Sequence, residues 1–451
     1  MTSVAFLTPE PVTDRVAGPA IRCLELARVL RAAGHDAGVV STGQVAPREG
    51  DVPVRHVAPG DVAATADQAD VVVVGGDLLD RHPALASGRA RLVVDLYDPF
   101  HLEALEQTAD LPPRHRQLAV DAAVRAMRTN ALLGDTFLCA SDDQRKLWVG
   151  HLAAHGRINP DTYDADPALS RLLAVVPFGL PAPPAATAGG GLRAAVPEID
   201  DDSDVLYWGG GLYNWFDPEV LVRAVARLVR TRPTVRLAFA GGAHPNPDVR
   251  SGEAARRARA AADELGVLGT HVFFLPGWID YDRRADYLAD ATLGVSTHLA
   301  HVETEFSYRT RLLDYVWAGV PTLATGGDPL STLLEAHGAG WTVPPGDVDA
   351  LHDRLAQVLG DRAALDAARA AASALAPSLR WTRVAGPLLE YCSAPASAPD
   401  LLGGRRRAQV ARVRRMNAGD RRRELRHAVG RRALAMIRPG APRAATPTRE
   451  R

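Results

Sequence analysis

The residues best placed to do chemistry lie between His301 and Pro321: Glu303, Glu305, Ser307, Arg309, Arg311 and Asp314, followed by Tyr315-Val-Trp-Ala-Gly-Val-Pro321. Leu312, Leu313, Val316 and Trp317 recur at helical spacing. A helix is therefore expected, with Ser307 as its N-cap, Gly319 as its stop and Pro321 just beyond. A helix N-terminus offers unpaired N–H groups, and arginines in its first turn add forks that match phosphate oxygens. Asp314, one turn further, suits a ribose hydroxyl, and Glu305 precedes the cap. Together these outline a nucleotide-diphosphate site. A rival in the same stretch is a metal site, His298-x-x-His301 with Glu303 and Glu305. It lacks both the helical His-Glu-x-x-His pattern and a Cys-rich one, so structural or donor-contacting histidines are favoured over it.

Positioning such a site takes a scaffold, and 451 residues with 47% hydrophobic content allow two domains and an extension. Cys23, Cys139 and Cys392 are too far apart for a disulfide framework or a zinc cluster. The N-terminus lacks the basic region of a signal peptide, and no apolar run reaches the length of a membrane span, so a cytoplasmic protein is expected.

Val4–Leu7 reads as a buried strand, and Gly18 opens an amphipathic helix that Gly34 ends. Asp70–Val74 and Arg91–Asp95 are continuous apolar strands of the kind parallel sheets bury. The second runs into Asp95-Leu-Tyr-Asp-Pro-Phe-His-Leu-Glu103, a loop at a strand end, where open α/β sheets bind ligands. Asp98 and His101 are its candidates; the alternatives are an Asp98-Pro99 turn and a surface histidine. A Pro-, Ala- and Gly-rich run from Leu180 to Gly191, then Asp200–Asp204, marks a boundary.

The second domain opens with a strand to Trp208, then Gly209, Gly210 and Gly211, then a helix start at Asp217-Pro218, a phosphate-approach geometry. The third glycine of a dinucleotide fingerprint is replaced by Asn214, and the next strand ends without an acid for a ribose, which argues against a nicotinamide enzyme. His244 lies in the following loop. Trp278 sits at a later strand end, either bordering a nucleobase or in the core.

The stretch Asp314-Tyr-Val-Trp-Ala-Gly-Val-Pro321, with Arg311-Leu-Leu-Asp314-Tyr, resembles the donor-sugar motif of retaining GT-B glycosyltransferases, family 4 and the related group 1 enzymes. The resemblance covers about residues 1–395 and implies an α/β fold of two Rossmann-like domains facing an interdomain cleft, with a basic C-terminal extension beyond it. It divides the chain into an acceptor-binding domain at 1–185, a linker at 186–204, a nucleotide-sugar domain at 205–380 and a cross-over helix at 381–395, and leaves an Arg-rich tail at 396–451. It implies hexosyl transfer with retention from a nucleotide-diphospho-sugar to an acceptor hydroxyl on a glycan or lipid-linked acceptor, as in polysaccharide or cell-envelope biosynthesis. Neither a metal nor a cofactor is implied. Glu305 takes the sugar-contacting acid's role, with Glu303 as the alternative. Arg309 and Arg311 stabilise the leaving diphosphate beside Gly209–Gly211. Ser307, His244, Trp278 and Asp314 belong to the donor side. Gly18 approaches the acceptor or donor phosphates, and Asp98 and His101 face the acceptor. An epimerase of the same fold and a non-catalytic nucleotide-sugar scaffold are the alternatives.

Charge is unevenly spread. From Leu401 onward, 16 Arg stand against Asp420, Glu424 and Glu450, a net +13 within a chain of net −1. Val410, Val413, Met416, Leu425, Val429, Leu434 and Met436 could give helices in this tail an apolar face. The readings are a solvated extension, an anionic membrane surface at the inner face of the membrane, or nucleic acid or a protein partner. The absence of aromatics weakens stacking on bases and deep membrane anchoring, so nucleic acid is not expected.

Overall fold

The computed structural model describes residues 1–46, 50–184, 189–242, 244–246 and 252–437, with side chains through Arg422. Part of the expected linker, the side chains of Leu425, Val429, Leu434 and Met436, and residues 438–451 lie outside the described residues.

Two parallel sheets organise the molecule. The first contains β1 (Ser3–Thr8), β2 (Asp36–Ser41), β3 (Val54–His56), β4 (Val71–Gly75), β5 (Arg91–Asp95), β6 (Thr136–Cys139) and β7 (Leu173–Val175), in the order β3-β2-β1-β4-β5-β6-β7. The second contains β8 (Asp204–Gly209), β9 (Val235–Ala240), β10 (Val272–Phe274), β11 (Leu293–Ser296), β12 (Thr322–Thr325) and β13 (Gly340–Val343), in the order β10-β9-β8-β11-β12-β13. The uninterrupted valines of β4 show why the sheets are parallel and covered on both faces. Val71 and Val73 enter one core cluster and Val72 and Val74 another, all four buried. Strand order reverses beside β1 in the first sheet and beside β8 in the second, the positions where open α/β sheets form ligand crevices. This is a GT-B architecture of two Rossmann-like domains.

After β13 the chain returns to the first domain. Leu180 and Arg380 form a parallel bridge, the Trp381 ring packs 4.8 Å from Phe178, and the Thr2 hydroxyl donates to the Cys392 carbonyl at 2.7 Å. The helices Trp381–Val384 and Gly386–Ser393 thus brace the first sheet.

The Arg-rich segment differs from a solvated extension. Arg405–Ile437 is one helix packed on the helix Pro113–Leu133, with Val410 and Val413 buried in the first domain's core. The Asn417 amide donates to Asp80 at 2.7 Å and to Thr129 at 2.9 Å, and Arg128 donates to both Asn417 and Asp420. The buried Arg157 pairs with Asp400 just before the helix. Apolar side chains at helical spacing and a satisfied polar cluster hold this segment, which its composition alone does not reveal. No helix among the described residues is long and apolar enough to cross a membrane.

Candidate functional site

The loops at the C-terminal ends of the two sheets enclose a cleft of 380 Å³. One wall is the start of the helix Gly18–Ala32 and the turn after β5; the other is the glycine loop after β8 and the helix Thr310–Trp317.

Arg311 is the central cation. It is 9% exposed, lies 4.3 Å over the Trp208 ring and 4.0 Å over Phe216, and donates to the Gly211 carbonyl at 2.7 Å. Its Nη1 is buried without a partner, and no carboxylate pairs with it among the described residues. Burial pulls its pKa down to about 10, so the site favours an arriving negative charge. Arg309 lies beside it, over Phe216 at 5.1 Å, and is the N-cap of the helix. The glycine loop can come this close because Gly210 adopts φ +82° and Gly241 packs against it. A Cβ on Gly241 would sit 2.0 Å from the Gly210 carbonyl oxygen.

Two expected site residues are displaced, and one short helix explains both. Val302–Phe306 is helical and ends at Ser307, whose hydroxyl donates back to Thr304. Ser307 therefore caps nothing ahead of it and does not line the cleft. Glu305 faces solvent, whereas Glu303 is 1% exposed and accepts from Arg309 at 2.6 Å, leaving its other oxygen without a partner. The acid behind the cleft is Glu303. Of the rival metal ligands, His301 lies 3.5 Å from Glu303, but His298 turns to Thr325 and Asp328 and Glu305 faces solvent, and no group of three or more ligating side chains occurs among the described residues.

On the first domain, Asp98 lines the cleft as expected. His101 does not: it packs on Trp148 at 5.5 Å, and burial lowers its pKa to about 4. The partner of Asp98 is Glu103, which sequence reasoning missed. Their carboxyl groups are hydrogen-bonded; burial, then the Asp98 charge, holds Glu103 well above the usual carboxylate range. Burial raises Asp98 as well, with Glu303 and Asp95 adding to it. One proton shared between the two buried carboxyl groups is favoured over two bare charges.

Gly18 lines the opening at its helix start, and its nearest neighbour to an added Cβ, the Tyr97 hydroxyl, is 3.8 Å away. His244 and Trp278 also line the cleft and pack edge to face at 5.0 Å. Asp314 reaches it too, held by Arg284 at 3.2 Å; that guanidinium is sandwiched between Tyr281 at 3.7 Å and Trp317 at 4.1 Å. The mouth is drawn together where Trp278 donates to Val16 at 3.3 Å, the Tyr281 N–H to Asp14 at 3.0 Å, and Asn246 to Glu10 at 3.0 Å.

Residues 203–361 match the family described as glycosyl transferases, group 1. That match spans the second domain. No curated protein matches the sequence. Among solved structures, sucrose-phosphate synthase of Thermosynechococcus elongatus superposes with a TM-score of 0.60 at 16% identity, covering 88% of this chain and 100% of its own. HepE of Anabaena in complex with UDP-glucose gives 0.62 at 16%, covering 87% and 100%. The UDP-forming α,α-trehalose-phosphate synthase of Burkholderia xenovorans, in complex with glucose-6-phosphate, gives 0.57 at 14%, covering 87% and 100%. At these identities the likeness is one of fold. Within the matched segment, Gly209–Gly211, His244, Trp278, Arg309, Arg311 and Asp314 share one cleft.

Proposed function

We propose that the chain is a glycosyltransferase that moves a sugar from a nucleotide-diphospho-sugar to an acceptor hydroxyl. The observation that carries this is Arg311: a buried guanidinium without a carboxylate partner among the described residues, lining the cleft at a helix start beside a glycine loop. Negative charge gathers on the diphosphate as the bond to the sugar breaks. Arg311 and Arg309, beside the glycine loop, stand where that charge would develop, which is electrostatic stabilisation without reorganisation. Asp314 receives the ribose, and Trp278 with His244 borders the nucleoside. The acceptor enters past Gly18 and the Asp98–Glu103 pair. Retention, hexosyl transfer, metal independence and a glycan or lipid-linked acceptor belong to the same proposal, as does work at the cytoplasmic side of an anionic membrane.

A second reading is kept by one feature. The Asp98–Glu103 pair faces the donor wall and would supply the acid/base carboxylates that an epimerase of this fold needs. The test is release of nucleoside diphosphate from UDP-, GDP-, ADP- and dTDP-sugars. Release that requires an added acceptor hydroxyl supports transfer; sugar conversion with no acceptor supports the epimerase; binding without turnover indicates a scaffold.

A further inference from the structure

The helix Arg405–Ile437 uses only one side to hold the first domain. Arg406, Val410, Val413, Asn417 and Asp420 point inward at spacings of three and four, and Arg406 and Asp420 find partners there in Asp135 and Arg128. The opposite side is different in kind. Arg407, Arg412, Arg414, Arg415 and Arg422 are exposed and have no carboxylate partner among the described residues. The other exposed residues between Arg407 and Arg422 are Ala408, Ala411, Ala418 and Arg421, the last of which reaches back to Asp80. This leaves a stripe roughly 22 Å long, at 1.5 Å per residue, of arginine and alanine with no exposed acid.

We propose that this outward face docks the first domain on an anionic lipid surface. Arg415 and Arg422 project outward and Arg407, Arg412 and Arg414 flank them on either side, so five unneutralised guanidinium groups on a fixed helix form a basic convex surface toward a plane of phosphate headgroups, and each adds attraction without insertion. The alanines between them neither penetrate a bilayer nor interrupt the charge. Nucleic acid fits less well: the face offers no aromatic for stacking and no Asn, Gln, Ser or Thr for base edges. The face also has a fixed relation to the cleft. Its helix packs on Pro113–Leu133, which packs on Phe100–Gln107, which carries Glu103 to the acceptor wall. An acceptor anchored in the same surface would be presented on that side.

The proposal does not rest on sugar transfer, and its test does not use it. The full chain is sedimented at ~150 mM salt with phosphatidylcholine vesicles and with vesicles in which about a third of the lipid is phosphatidylglycerol. Binding is expected only to the anionic vesicles. At about five-fold per arginine, the triple variant Arg412→Gln, Arg414→Gln, Arg415→Gln weakens it by ~100-fold. These side chains bear no ion pair among the described residues and only a 3.5 Å contact of Arg414 with the Ser87 hydroxyl, so its melting curve should match the wild type; Arg407→Gln with Arg422→Gln provides a second variant should it not. Wild-type partition in the variants would overturn the proposal, as would equal binding to neutral vesicles or none to anionic ones. Tighter binding to a short RNA duplex than to anionic vesicles would reassign the face to nucleic acid.

Discussion

Glu303 and Arg309 form a buried pair at 2.6 Å that fixes the arginine against Phe216. Breaking such a pair leaves an uncompensated charge and costs about 3–5 kcal/mol. Glu303→Ala should lose that much stability in chemical denaturation and lower donor turnover at least ~100-fold, with Glu303→Gln milder in both. Glu305→Ala should match the wild type in both measurements. Glu103 gives a pH signature. Its native pKa is raised, so the folded chain binds more protons than the unfolded chain above the ordinary carboxylate range, and stability falls as pH rises through that window. Glu103→Gln removes the effect. Calorimetry should show a higher Tm than wild type at pH 7.5 and no difference at pH 4; equal values at both would contradict the shared proton. The arginines and Asp314 were legible because helical spacing placed them on one element. His101 stands out over Glu103 in the sequence because nothing in this loop gives a helical phase. Both lie on Phe100–Gln107, and residues two apart on a helix project about 200° from each other, so only one can face the cleft.

At the scale of elements, the short helix Val302–Phe306 is what moved the acid from Glu305 to Glu303 and the cap from Ser307 to Arg309. Nothing in the acidic run His301–Phe306 announced a separate turn of helix. The terminal helix was half legible. Val410 and Val413 mark its inner stripe in the sequence, but Asn417 acquires meaning only from Asp80, Arg128 and Thr129, which are remote in sequence. Asn417→Leu would leave a buried carboxylate and hydroxyl short of a donor. A loss of about 2–3 kcal/mol is expected in urea unfolding. An unchanged midpoint would mean that the helix is not docked as described.

For the whole molecule, the apolar strands and glycine-marked boundaries in the sequence carried the two-sheet plan, because parallel sheets buried on both faces leave continuous valine-rich runs. How closely the domains meet was not legible. The contacts of Val16, Asp14 and Glu10 with Trp278, Tyr281 and Asn246 join side chains and backbone of loops whose patterns carry no pairing signal. These contacts gather both walls around one cleft, and the account stands on what that cleft holds. The most direct measurement is a calorimetric titration of the wild type and Arg311→Ala with UDP, GDP, ADP and dTDP, each beside its nucleoside. The account predicts that the wild type binds at least one diphosphate. Arg311→Ala should weaken that affinity by at least ~30-fold and change the nucleoside's little. Equal diphosphate affinity in the two proteins, or no diphosphate binding by the wild type, would contradict it.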